Sequence, residues 1–553
     1  MKNQKKFLYI LPVFCISLAF ADGEHYDGQN VSGKTFAGVD RNNSTWVGAT
    51  AVGAIFSTYK DPTMYRHSDF TNANLQQANF TDADLMLADF TNANLRNSNL
   101  TDAYLNGIKL TNADFTDSII EGAYFAVRLG KEQLYSTASY KSYNLARISL
   151  INLDLSEWNF SKQNLTKASF RFSTLTNTNF TDSIISGAYL DGTVDSGFTK
   201  EQLYSTASYK NKDLSNVWLA QNNLSDWDFT SQNLTSVNFV SSNLTNVNFT
   251  NANLTNAYFS NSIINGARFD NLNGTFTKSM LYSTQSYKNK DLSKIQFANC
   301  GLREWDFTGQ NLMNAVFDNV QIVNSDFTNA DLRGAYMKLF YPDWGIDPNR
   351  LIYKNTIRME GEIHNFSMTS ASDSFSIRKY EPATSDGALI SAYITRSATI
   401  SGGAVLTLER GADFEITNNS TLTVAQDSII SINTDASSST SFSILAGSSL
   451  IFEDGAILEI NIEDAFMSNN RNDSISFVVL DWENGGNFEV LGDFIKDENV
   501  FLSLNGEKFE DDWNFKTEDN KFIVSISQVP EPAACASVFG ILALALAAYR
   551  RRK

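Results

Sequence analysis

Residues 68–127 read SDFTN ANLQQ ANFTD ADLML ADFTN ANLRN SNLTD AYLNG IKLTN ADFTD SIIEG AYFAV. Every fifth residue from Phe70 to Phe125 is Phe, Leu or Ile, twelve in succession. Two places before nearly every one stands Ala or Ser, as at Ala73, Ala78, Ala83, Ala88, Ala93 and Ser98. A period of five fits neither regular structure. On an α-helix, residues five apart are turned by about 140°, which smears them around the axis. On a flat strand an odd period sends alternate units to opposite faces. A chain that buries every fifth residue must therefore bend once per unit. The small and large apolar positions share one side of a short extended piece, and the Asn, Asp, Thr and Gln between them suit a solvated turn. Such a chain is a solenoid, each coil burying its face against its neighbours.

The recurring A-[DN]-[LF]-x-x string resembles the pentapeptide-repeat family. That resemblance implies an all-β fold, a right-handed quadrilateral β-helix with four units per coil and the Leu or Phe stacked inside. It implies no chemistry, because members share a shape rather than a reaction. In the same phase residues 145–190 carry ten units, 214–269 twelve and 292–337 ten. At four units per coil this is about eleven coils, a rod on the order of 50 Å long at the spacing of hydrogen-bonded strands. We assign residues 67–340 to this β-helix.

A longer repeat overlies the short one. KEQLYSTASYKSYNL from Lys131, KEQLYSTASYKNKDL from Lys200 and KSMLYSTQSYKNKDL from Lys278 interrupt the five-residue phase, each followed by W-[ND]-F. Thr199 with Gln202 has the form of a helix N-cap and first turn. We expect each copy to be a short helical insert that leaves the coil and lies against one face. Trp158, Trp227 and Trp305 stand where Ala belongs, so we expect a local bulge with the indole packed on the insert. The alternative is a sugar-stacking platform of Trp158, Trp227 and Trp305 with Tyr204 and Tyr282.

The 553-residue chain carries a formal net charge of −18, which argues against nucleic-acid partners. Lys2, Lys5 and Lys6, an apolar run from Phe7 to Leu18 and the small-x-small site Ala19-Phe20-Ala21 form an export signal over residues 1–21, cut by signal peptidase. Residues 22–66 are a leader and N-terminal cap. Of three cysteines, only Cys300 lies in the exported body, so no internal disulfide forms there. Its small inward position marks a packed, inert thiol.

Residues 341–365 lack the five-residue phase and read as a connector. Beyond them, over 366–528, alternating pairs recur at Leu406/Leu408, Phe414/Ile416, Leu422/Val424, Ile430/Ile432, Leu450/Phe452 and Leu458/Ile460. Alternation in short segments means half-buried strands, in a second β-solenoid, in stacked hairpins or in another β-rich domain.

Residues 529–553 close the chain with Val529-Pro530-Glu531-Pro532, an apolar run from Ala533 to Ala548, and Arg550, Arg551, Arg552 and Lys553. The run spans only about 24 Å as a helix, short for a membrane but workable. This tail resembles the PEP-CTERM sorting signal. By that resemblance, Val529, Pro530, Glu531 and Pro532 would be read by an exosortase-type membrane enzyme of Gram-negative bacteria that make extracellular polysaccharide. The C-terminal segment would anchor the protein transiently in the inner membrane before release to the surface or matrix.

Nothing points to catalysis. His25, His67 and His364 are the only histidines, and none has a partner at metal-ligand spacing. No nucleophile elbow, P-loop or dinucleotide fingerprint occurs. We expect no cofactor, no metal and no catalytic residue. The sequence points to a non-catalytic exported structural or adhesion protein associated with extracellular polysaccharide. The alternatives are a glycan-binding or glycan-degrading secreted protein and, remotely, an acidic DNA mimic.

Overall fold

The computed structural model describes residues 26, 28–34, 68–125, 129–272, 275–339, 354–364, 366–382, 390–417, 419–434, 440–446, 448–454, 456–462, 475–482, 487–490, 500–504, 507–508, 513–518 and 521–526. The export signal with Ala19 and Ala21, the sorting tail with Val529 to Pro532, His25 and His67 lie outside these residues. The chain forms two compact units: residues 1–244 with 251–263, and residues 245–250 with 264–553.

Unit one is a four-sided parallel β-solenoid. Asp69 bridges Asp89, Asn74 bridges Asn94, Asn79 bridges Asn99 and Asp84 bridges Tyr104, so four five-residue sides close one coil. The residues dictate each corner. Phe70 accepts from the Ala73 N–H at 2.9 Å, closing a β-turn, and Asn72 sits at φ 58°, the left-handed region its side chain tolerates. Asp69 Oδ1 accepts from the Thr71 N–H at 2.9 Å, so the bridging Asp or Asn fixes the turn that follows it. Inside, Phe70 stacks on Phe90 at 5.0 Å and meets Phe80 edge-on at 6.2 Å. The inward Phe and Leu positions of the coils are almost wholly buried. Each such side chain contributes about 1.5–3 kcal/mol over an exposed one.

Two-residue strands β1 (Tyr124–Phe125) and β2 (Ser149–Leu150) pair across the first insert. That insert is α1 (Lys131–Ser136) and α2 (Ala138–Lys141); the second is α3 (Lys200–Ser205) and α4 (Ala207–Lys210). The inserts do not leave the coil, contrary to expectation. Asp117 N–H donates to Ser136 O at 2.9 Å and Ala138 N–H to Ser118 O at 2.8 Å, so the interstrand ladder runs through the helical turn. Leu134 and Leu203 point inward and are fully buried, each taking the place of a rung.

Unit two has the same four-sided pattern over α5 (Lys278–Ser283), α6 (Gln285–Lys288), β3 (Gln296–Ala298), β4 (Val316–Val320) and β5 (Tyr336–Leu339), the three strands forming one parallel sheet. Residues 354–364, expected to be connector, carry β6 (Thr356–Ile357) and β7 (Ile363–His364), an antiparallel pair whose Ile357 also bridges Asp331 in parallel. His364 thus lies on a strand. The cross-section then changes from four sides to three.

The three-sided part consists of β8 (Ser374–Ile377), β9 (Ala392–Ile394), β10 (Ala398–Ile400), β11 (Val405–Leu408), β12 (Asp413–Ile416), β13 (Thr421–Val424), β14 (Ile429–Thr434), β15 (Ser441–Ile444), β16 (Ser449–Phe452), β17 (Ile457–Ile462), β18 (Ile475–Trp482), β19 (Asn487–Val490) and β20 (Val500–Leu504). Each strand from β8 to β17 pairs in parallel with the strand three places on, as β8 with β11, β11 with β14 and β14 with β17. The parallel order rules out stacked hairpins there. Leu406, Leu408, Phe414, Ile416, Leu422, Val424, Ile430, Ile432, Leu450, Phe452, Leu458 and Ile460 all face one core, as alternation predicts. The ladder ends in antiparallel pairs: β21 (Glu507–Lys508) on β20, and β22 (Trp513–Glu518) with β23 (Lys521–Ile526) beside β18.

Candidate functional site: tyrosine pairs and an aromatic column

The inserts leave one side of their coil without a strand, which orphans backbone groups on the next coil. In a regular coil, Asn94 N–H donates to Ala73 O at 2.9 Å and Asn94 O accepts from Leu75 N–H at 2.7 Å. Asn159, Asp228 and Asp306 follow an insert and have no such strand beneath them. Two phenols replace it. Tyr135, Tyr204 and Tyr282 accept from the N–H of Asn159, Asp228 and Asp306 at 2.5–2.7 Å. Tyr140, Tyr209 and Tyr287 donate to the carbonyl of the same three residues at 2.8–2.9 Å. Within each pair the rings lie 4.3–4.5 Å apart. One pair of stacked rings thus supplies the acceptor and the donor of a missing peptide, in each of the three copies.

Burial pushes the Tyr140, Tyr209 and Tyr287 hydroxyls well above the ordinary phenol value, and a neighbouring tyrosine or Asp306 adds to the rise. Tyr204 and Tyr282 are raised by the same burial. The Thr199 cap is present as the sequence predicts. Its hydroxyl accepts from Gln202 N–H and Gln202 Oε1 from Thr199 N–H, while Gln202 Nε2 reaches the carbonyls of Leu175 and Thr178.

A second feature runs along one side of unit one. Its successive bridging residues are Asp84, Tyr104, Tyr124, Ser149, Ser169, Tyr189, Trp218, Asn238 and Tyr258. Tyr104 and Tyr124 stack at 4.9 Å, and Tyr189 and Trp218 lie 5.1 Å apart. Arg171 sits 4.4 Å from the Tyr189 ring and 5.0 Å from that of Trp218, a cation over two π-faces. It is held by buried Asp191 at 2.6 Å, whose other oxygen accepts from Ala220 N–H. Phe172, half-exposed at φ 56°, lies over Gly192, where a Cβ would come within 2.6 Å of the ring. Between the two aromatic pairs stand Ser149 and Ser169, whose hydroxyls are buried and, among the described residues, have no hydrogen-bond partner. The rings of the column suit a ligand with an apolar face and a polar rim.

The family model described as pentapeptide repeats matches in eight copies, over residues 66–102, 93–126, 144–182, 213–251 and 291–338. The four-sided coils of these residues are pentapeptide repeats. Among solved structures it is similar to a pentapeptide repeat protein of the Arabidopsis thaliana thylakoid lumen, at 19% identity over 29% of this chain and 70% of that one, TM-score 0.13. It is also similar to full-length QnrB1, a plasmid-mediated fluoroquinolone resistance protein, at 14% identity over 44% and 92%, TM-score 0.20. HetL of the cyanobacterium Nostoc sp. strain PCC 7120, involved in heterocyst differentiation regulation, is similar at 17% identity over 62% and 92%, TM-score 0.10. Comparison with curated proteins finds no match.

Within the pentapeptide coils, Trp158, Trp227 and Trp305 are 8%, 6% and 6% exposed, so their faces belong to the core. No bulge admits them. Glu157, Asp226 and Glu304 before them take φ 59–62°, like any other corner, and Trp158 and Trp227 close the same turn as Ala does. Space comes from the insert: Tyr135 meets Trp158 edge-on at 6.3 Å and Tyr204 meets Trp227 at 6.4 Å, whereas Trp305 packs on Phe276 and Phe297. The structure therefore brings Tyr204 to Trp227, and spends the Tyr204 and Tyr282 hydroxyls on backbone. Cys300 is partly buried, and burial pushes its thiol up to about 12. Among the described residues, no group of three or more His, Cys, Asp or Glu side chains is placed to hold a metal ion. Among them, too, no helix is long and apolar enough to cross a membrane; the apolar run 533–548 lies outside them. The aromatic column was missed in the sequence. Its signal is Tyr or Trp just before the buried rung, repeating once per coil.

Proposed function

We propose that the protein is a non-catalytic exported scaffold that attaches to extracellular polysaccharide through the aromatic column of unit one. The observation that carries this reading is the column itself: the Tyr104–Tyr124 and Tyr189–Trp218 pairs stand on one side of the coils, with Tyr104 39% and Tyr258 55% exposed. A pyranose presents an apolar face that stacks on such rings and a polar rim that stays hydrated. The export signal and the V-P-E-P tail support passage through signal peptidase and an exosortase-type sorting enzyme to the surface or matrix. Adhesion then needs no chemistry from the protein, only a rigid face.

The test is co-sedimentation of the purified body with matrix polysaccharide. Trp218→Ala with Tyr189→Ala should lower the bound fraction at least tenfold while leaving thermal unfolding of the three-sided part in place. Unchanged binding would sink the reading. Intact mass of the exported protein gives both cleavages; a full-length cytoplasmic product would remove the exported role.

A further inference from the structure

Unit two holds a groove of about 500 Å³, in the range of small-ligand pockets, beside the place where residues 378–381 lie against Gly309 and Asn314. Its charge runs against the rest of the molecule. In a chain of net charge −18, Lys294, Arg378, Lys379 and Arg410 line it, against Asp291, Glu381 and Glu409. The carboxylates are partly spent. Asp291 accepts from Ser293 N–H at 3.1 Å and Asn311 Nδ2 at 2.9 Å, and Glu409 faces Arg378 at 3.7 Å. Lys294 and Lys379 are exposed and, among the described residues, form no ion pair.

The wall that carries Lys379 is braced rather than loose. Arg378 donates to Gly309 O at 3.2 Å, Tyr380 to Asn314 Oδ1 at 3.1 Å, and Asn314 to Glu381 O at 2.6 Å. Unpaired lysines beside a polar groove with Ser293, Asn311 and Asn433 in its lining favour an anion that also carries hydroxyls. We propose that this groove binds the carboxylate of an acidic saccharide, a uronic acid unit. Lys294 and Lys379 attract the carboxylate, and the amide and hydroxyl lining meets the ring hydroxyls. The inference rests on the reading that the protein contacts polysaccharide, and adds the acidic class to it.

The test is calorimetric titration of the full-length protein with oligogalacturonate, a neutral cello-oligosaccharide and inorganic phosphate. Oligogalacturonate is expected to bind, to weaken as salt rises, and to lose about tenfold in affinity in Lys294→Gln with Lys379→Gln. Both lysines are exposed, so the double variant should keep the parent melting temperature. Lys379→Glu alone should weaken binding further than Lys379→Gln. Equal affinity for the neutral oligosaccharide, displacement of oligogalacturonate by equimolar phosphate, or unchanged affinity in the double variant would each overturn the proposal. Matrix binding that depends on Trp218 without any oligogalacturonate binding overturns the groove alone. Loss of all saccharide binding in the parent protein overturns both readings.

Discussion

Tyr204 and Tyr209 are the same residue five places apart, and the fold uses them in opposite senses. Tyr204 takes the Asp228 N–H and Tyr209 serves the Asp228 carbonyl. Removing either hydroxyl takes away one hydrogen bond at the exposed Asp228 edge, worth about 0.5–1.5 kcal/mol. Tyr204→Phe should therefore lower the urea midpoint, with the apolar contacts kept. Trp227→Ala removes the ring that Tyr204 leans on and leaves a cavity, at about 3–5 kcal/mol, seen in the same titration. The inward Phe and Leu, the Thr199 cap and the packing of Trp158 and Trp227 on their inserts could be read from the residue string, because each follows from period, volume or a local side-chain bond. The phenol pair could not. Its meaning depends on which strand is missing one coil away, and the sequence does not mark that loss.

At the scale of the element, the five-residue side carries its own instructions: an Asp or Asn to hold the next N–H, a rung, and a residue that tolerates positive φ. Gly192→Ala should destabilise, since its φ is 64° and a Cβ would press on Phe172; a fall in melting temperature checks it. Where four sides become three, Arg333 is fully buried. It grips both oxygens of Asp331 and reaches the carbonyls of Ile390 and Arg378. Arg333→Met strands a buried carboxylate, at about 3–5 kcal/mol, and Arg333→Met with Asp331→Leu should recover much of the loss in chemical denaturation. The alternating pairs beyond residue 400 announced strands but not their partners. Hairpin and solenoid both satisfy a period of two, and only the pairing of β11 with β14 rather than β12 separates them. The bulge expected at each Trp failed for a related reason: the room was made on the neighbouring coil, not in the corner itself.

For the molecule as a whole, the three tyrosine pairs predict how it meets alkali. Tyr140, Tyr209 and Tyr287 titrate above the ordinary phenol value near 10 because burial penalises the phenolate. Their contribution is complete below that value and is lost as pH rises through the raised ones. Melting temperature should therefore hold to about pH 10 and fall beyond it, and a variant with Tyr140, Tyr209 and Tyr287 all changed to Phe should start lower and fall less steeply. The same pairs have a consequence for how such a chain can grow. Each insert opens on a regular coil and, through two phenols, hands a regular backbone edge to the next. A gene segment spanning insert and coils is thus a cassette whose two ends match, so whole cassettes can be added or dropped without re-registering what lies on either side. The chain's three near-copies are what duplication of such a cassette would leave.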